Sequence, residues 1–202
     1  PGSFTHTTEF FGPVLGVMCA DNLDQAIAWV NATGYGLTSG IESLDPREQK
    51  HWRDSVRAGN LYINRGTTGA IVHRQPFGGM GKSAFGPGIK AGGPNYVAQL
   101  MDFEDCGIAP IDPTAPLNNA DISDLREALI ARHKTGNFPP DLRRLLRAFL
   151  SYEAAYEDEF SREHDDFVLV GQDNIRRYLP VGSIRIRIHP QDSAFDIFAR
   201  AA

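Results

Sequence analysis

A chain of 202 residues, 42% hydrophobic and 22% charged, has the size and balance of one ordinary globular domain or two small ones. A net charge of −5 without a concentrated basic patch argues against a nucleic-acid or anionic-membrane surface, since such partners are held by clustered Lys and Arg that displace counterions. No stretch reaches the ~18 consecutive apolar residues of a membrane span and the N-terminus lacks a charged-then-apolar signal pattern, so a cytoplasmic setting is expected.

Along the first hundred residues, strand-like and helix-like patterns alternate. Val14 to Cys19 is a short apolar run suited to a buried strand, and Cys19 within it is expected to be inert because apolar surroundings disfavour a thiolate. Asp21-Asn22 signals a helix start, with Leu23, Ile27 and Val30 on one face. Gly34 and Gly36 interrupt the pattern, and Leu37 to Ser43 reads as a second strand. Asp45-Pro46-Arg47-Glu48 opens another helix: Asp at the N-cap, Pro at N1 where its missing N–H costs nothing, Glu at N3. Trp52 and Val56 continue its apolar side, Gly59 fits a left-handed cap, and Leu61-Tyr62-Ile63 forms a third strand. Such alternation predicts an α/β fold.

From Gly66 to Pro94 glycine and proline are dense and periodicity is weak. Linkers favour serine and charge, whereas this stretch carries Phe77 and Phe85, so it is expected to be an ordered loop. Tyr96 to Phe103 resumes an extended apolar pattern. Cys106 stands beside Asp105, whose carboxylate disfavours a thiolate; two cysteines support neither a disulfide framework nor a metal site. Ala109 to Pro116 is a proline-punctuated linker. Beyond it, residues 121 to 133 place Ile122, Leu125 and Leu129 on one helical side, and a second amphipathic helix runs from Pro140, behind Pro139, to about Phe160. Arg143, Arg144 and Arg147 read as a solvated helix face. Gly171-Gln172-Asp173-Asn174 signals a turn, Ile184-Arg185-Ile186-Arg187-Ile188 alternates like a half-exposed strand, and Ser193 to Ala199 reads as a helix.

The run Glu9-Phe10-Phe11-Gly12-Pro13-Val14, together with residues 59 to 94, resembles the C-terminal part of an NAD(P)-dependent aldehyde dehydrogenase. The resemblance is nearest to the branch that oxidises L-glutamate γ-semialdehyde, the Δ1-pyrroline-5-carboxylate dehydrogenases of proline catabolism, because Gln75-Pro76-Phe77-Gly78-Gly79 is followed here by Lys90-Ala91-Gly92-Gly93-Pro94. The resemblance implies that Glu9 accepts hydrogen bonds from the nicotinamide ribose of NAD or NADP, with Phe11 flanking the nicotinamide end. It also implies that Gly69 and Ala70 aim backbone N–H groups at the substrate's α-carboxylate, and that Phe77 packs on its aliphatic middle. The chemistry suits the residue types: a carboxylate offers two acceptors to vicinal hydroxyls, and small residues let successive amides form an anion nest. Where the branch commonly shows Ser-Gly-Thr, this chain has Ser83-Ala84-Phe85, and Ala84 forgoes glycine's access to positive φ. His73 and Arg74 are expected at the rim of the substrate site.

The family's catalytic cysteine follows a Gly-Gln pair and its general base has its own glycine-containing motif; neither occurs in these 202 residues. The chain is therefore expected to be a piece of an enzyme, inactive alone, completed by an N-terminal part of the same protein and assembling as a homo-oligomer, with no catalytic residue of its own. Residues 171 to 180 resemble the entry to an accessory, non-catalytic aldehyde-dehydrogenase-like domain of bifunctional proline-utilisation enzymes. The expected organisation is the C-terminal part of a catalytic domain (1–106), a linker (107–120), a helical segment (121–166) and the start of an incomplete α/β unit (167–202). A non-catalytic covering or assembly domain is the competing interpretation, with the amphipathic helices as its interface.

Overall fold

Four helices start where capping side chains stand. In the computed structural model, which describes every residue except 72–73, 86–87, 105–106, 108–110 and 137–140, Asn22 Oδ1 accepts from Gln25 N at 2.9 Å and opens α2 (Leu23–Ala32). Asp45 Oδ1 accepts from Arg47 N at 2.8 Å and, with Pro46, opens α3 (Pro46–Ser55). The expectations for His73, Cys106, Ala109-Pro110 and Pro139-Pro140 lie outside the described residues. The chain divides into two units, Pro1–Asp102 with Asp166–Asn174, and Phe103–Asp165 with Ile175–Ala202.

In the first unit a short α1 (Phe4–Thr7) precedes α2, β1 (Tyr35–Gly36), β2 (Thr38–Ile41), α3 and β3 (Asn60–Ile63), and β4 (Met80–Gly81) follows. β2 and β3 pair in parallel, Thr38 against Asn60 through Ile41 against Ile63, and β1 pairs antiparallel with β4. Parallel neighbours need a crossover, which α3 supplies. Ile27, Trp52, Val56 and Ala58 form the buried core between helices and strands, with Leu23, Ile41, Leu61 and Ile63 packed against them. This is the α/β architecture the alternation predicts.

Four local expectations are corrected. Val14 to Cys19 forms no strand: Leu15 and Val17 are more than 80% exposed, and Cys19 is exposed rather than buried. A strand needs a neighbour for its N–H and C=O groups, and among the described residues none pairs with this run. Ile184 to Ile188 is likewise exposed and irregular, and Tyr96 to Phe103 contains a 3₁₀ turn, Val97–Leu100, rather than extended chain. Gly59 is not left-handed; its glycine is required by space, since a Cβ there would lie 1.8 Å from Gly78 O.

In the second unit α4 (Ala120–Lys134) is capped by Asn119, and α5 (Leu142–Ala155) runs on into a π-helical turn, Tyr156–Phe160. A hairpin of β5 (His164–Asp165) and β6 (Ile175–Arg176) follows, then α6 (Ala194–Ala201) behind a Ser193/Asp196 capping box. Leu129, Leu142, Leu145, Leu146 and Phe149 form the core, joined by Phe195 and Phe198 of α6. Glu153 is buried, and its Oε1 accepts from Asn118 N and Asn119 N at 2.7 and 2.6 Å. Of the arginine face, Arg143 and Arg144 are exposed as expected, Arg144 with its guanidinium 4.0 Å from the Phe195 ring centre, whereas Arg147 is half-buried and its Nε donates to Ile111 O at 3.0 Å.

Candidate functional site

Asn64 ends β3 by adopting φ 56°, a left-handed conformation that Asn tolerates, while its amide exchanges bonds with Ser43 N and Ser43 O at 2.9 Å each. The glycine-rich loop thus leaves the strand in a fixed direction. Gly69 follows at φ +80°, a conformation that suits glycine, with open space where a Cβ would stand. Among the described residues, neither Gly69 N nor Ala70 N has an acceptor. Gly69 is exposed and Ala70 half-buried, so both amides are free to donate to an anion.

The loop then folds back and is held from several sides. Gln75 N and Arg74 N both donate to Ile71 O, at 2.8 and 2.9 Å, and Tyr62 OH donates to Gln75 Oε1 at 3.2 Å. Phe77 is half-buried and bridges Ala91 through two backbone bonds, Phe77 N to Ala91 O at 3.0 Å and Ala91 N to Phe77 O at 2.8 Å. Farther along, Lys82 Nζ donates to Thr33 O at 2.9 Å, and Ser83 Oγ accepts from Gly36 N at 3.1 Å. The described residues of the stretch are thus held by specific bonds, as expected of an ordered loop. Ala84 takes an ordinary negative φ, so the loss of glycine there costs nothing, and Phe85 stands 99% exposed.

Two residues of this site were given no role by sequence reasoning. Asn60 Nδ2 donates to Pro76 O at 3.1 Å while its Oδ1 accepts from Gly78 N at 3.2 Å. Lys90 Nζ donates to Gly59 O at 2.6 Å and Gly78 O at 2.7 Å. Burial pushes this ammonium down to about 8. The available signal was the position of Lys90 inside a glycine-rich signature and of Asn60 directly after Gly59.

Glu9 and Phe11 lie in an open segment. Phe11 is 97% exposed, Glu9 is exposed, and its carboxylate has no hydrogen-bond partner among the described residues. The segment is attached through α1, where His6 Nε2 lies 3.0 Å from Trp29 O, and through the Phe4–Phe10 ring contact at 5.6 Å. Phe77 lies on the same loop as Gly69 and Ala70, two residues past the Ile71–Gln75 turn, and its backbone pairs with Ala91. Among the described residues no hydrogen bond or ring contact joins Glu9 or Phe11 to Gly69, Ala70 or Phe77. No group of His, Cys, Asp and Glu side chains among the described residues could hold a metal ion. The second unit carries a half-open hollow of about 460 Å³ lined by Ile122, Tyr152, Glu153, Tyr156 and Phe160, among others.

The sequence profile of the aldehyde dehydrogenase family matches residues 1–105. The bifunctional protein PutA of Rhizobium meliloti is 48% identical over 107 residues, 52% of this chain and 8% of that protein. A 1-pyrroline-5-carboxylate dehydrogenase of Bacillus cytotoxicus is 48% identical over 93 residues, 46% of this chain and 18% of the relative. Among solved structures, Proline Utilization A (PutA) from Corynebacterium freiburgense matches with a TM-score of 0.71 at 46% identity, over 90% of this chain and 17% of that one. The chain therefore spans less than a fifth of the length of these relatives. No helix among the described residues is long and apolar enough to cross a membrane.

Proposed function

The chain belongs to the aldehyde dehydrogenase family, and we propose from that premise that it is a C-terminal segment of an enzyme oxidising L-glutamate γ-semialdehyde to glutamate with NAD. One observation carries the substrate assignment: two unengaged backbone amides, at Gly69 and Ala70, sit on the loop that presents Phe77. An α-carboxylate fits paired N–H donors, and an aromatic side chain a few residues on fits the carbon chain between carboxylate and aldehyde. The names of the relatives, a 1-pyrroline-5-carboxylate dehydrogenase and PutA proteins, support the same substrate.

Glu9 suits the cofactor role because its carboxylate is exposed and unengaged, leaving both oxygens to accept from vicinal ribose hydroxyls. Phe11 would flank the nicotinamide ring. NAD supplies the hydride acceptor when bound. The nucleophilic thiol and the dinucleotide-binding half belong to the rest of the enzyme, so this segment contributes binding and orientation: the loop fixes the substrate's acid end so that its aldehyde carbon is held for thiolate attack.

Steady-state assay of the full-length enzyme with NAD and NADP separately tests the reading. Glutamate semialdehyde is expected to exceed succinate semialdehyde in kcat/KM by at least ~10-fold, since the carboxylate of the latter stands one carbon nearer its aldehyde and reaches the nest less well with the aldehyde in place. Equal efficiency with both aldehydes overturns the substrate assignment.

A further inference from the structure

The Lys-Ala-Gly-Gly-Pro run marks the branch in the sequence, yet its one ionisable side chain touches neither cofactor nor substrate in the reading above. Its surroundings are nonetheless built around it. Lys90 Nζ meets Gly59 O at 2.6 Å, Gly78 O at 2.7 Å and Asn60 Oδ1 at 3.5 Å. Gly59 and Gly78 approach so closely that a Cβ on Gly59 would lie 1.8 Å from Gly78 O and 2.8 Å from Nζ itself. The lysine thus closes a contact between two backbones that no larger residue at position 59 would permit.

Every backbone polar group of the turn Pro76-Phe77-Gly78 is paired. Pro76 O accepts from Asn60 Nδ2, Phe77 N and O bond Ala91, Gly78 N donates to Asn60 Oδ1, and Gly78 O accepts from Lys90 Nζ. A three-residue turn with all its donors and acceptors fixed has little freedom left. The residue at its centre is Phe77.

We propose that Lys90 is a positioning residue: by tying the head of β3 to the Pro76–Gly78 turn, it fixes where Phe77 stands against the carbon chain of the aldehyde substrate. This rests on the function proposed above and adds the device that sets the geometry of that site. The two short contacts go to neutral carbonyls, and a neutral amine still carries two N–H groups, so the tie persists when the ammonium loses its proton.

Lys90→Met in the full-length enzyme keeps the aliphatic stem and removes the donors. Its KM for glutamate semialdehyde is expected to rise ~10-fold with kcat within ~2-fold of wild type, the signature of lost uniform binding. Amide hydrogen exchange at Phe77, Gly78 and Ala91 is expected to quicken by ~10-fold or more as local opening becomes easier. Lys90→Gln, a shorter side chain with two amide donors, is expected to fall between; it also carries both readouts should the Met variant not fold. Unchanged exchange in the variants overturns the tie, and faster exchange with unchanged KM, or a fall confined to kcat, overturns the positioning role. A wild-type enzyme inactive on glutamate semialdehyde overturns the functional reading instead, while the exchange data still decide whether Lys90 holds the turn.

Discussion

The glycine-rich loop from Asn64 to Pro94 and the apolar run from Val14 to Cys19 differ in the partners they find. The first has few apolar residues and dense glycine, yet Asn60, Tyr62, Ser83 and Lys90 hold it in place through distant hydrogen bonds. The second has the makings of a core strand, yet among the described residues no strand pairs with it, and Leu15 and Val17 are exposed within this segment. Order follows from partners within reach, since a backbone polar group is satisfied by a donor or acceptor and not by its own hydrophobicity.

Substituting each region in turn sharpens the contrast. Gly59→Ala drives a Cβ into Gly78 O and is expected to cost about 3 kcal/mol or more, at the upper end of overpacking effects. Both tryptophans, Trp29 and Trp52, belong to the first unit, so the loss is read by fluorescence during urea unfolding without interference from the helical unit. Lys90→Met removes the donors to Gly59 O and Gly78 O and is expected to cost about 1–3 kcal/mol, the range for leaving a buried acceptor unsatisfied. By contrast, Leu15→Ser and Val17→Ser are expected to change the stability of this chain by less than about 0.5 kcal/mol, as for exposed positions. A loss above 2 kcal/mol at Leu15 would show the run to be packed and break the contrast.

A pH series gives a smaller effect. The Lys90 amine is lowered from 10.5 to about 8 in the folded chain. Between those values the unfolded chain binds the proton and the folded chain does not, so this group makes the first unit more stable as pH rises through the window. Thermal unfolding of wild type and Lys90→Met at pH 7.5 and 9.5 reads it as a difference in slope, with the variant lacking the Lys90 contribution.

Local signals in the sequence carried far. Asn22 and Asp45 each cap the helix that their type and position announce, and the alternation of Leu37–Ser43, Trp52 and Leu61–Ile63 announced the strand–helix–strand unit whose strands pair in parallel. Gly59 shows the limit of such signals. A glycine after a helix is compatible with a left-handed cap or with close backbone approach, and only the position of Gly78, 19 residues on in the sequence, decides for the latter. Val14 to Cys19 and Ile184 to Ile188 failed as strands for a related reason: alternation and apolarity describe the faces of a strand but not the neighbour it must pair with. At the candidate site, the family signature pointed to Gly69 and Phe77, whereas nothing local pointed to Asn60 and Lys90, because their bonds go to residues 12 to 31 positions away.

The substrate-binding role of the Gly69–Ala70 amides is the claim on which the functional reading stands, and Gly69→Val tests it most directly, since a β-branched residue at φ +80° must redraw the turn. In the full-length enzyme the account predicts that KM for glutamate semialdehyde rises ~10-fold or more while propanal, which has no carboxylate, is oxidised with unchanged kcat/KM. Equal losses on both aldehydes, or no loss on either, would contradict it.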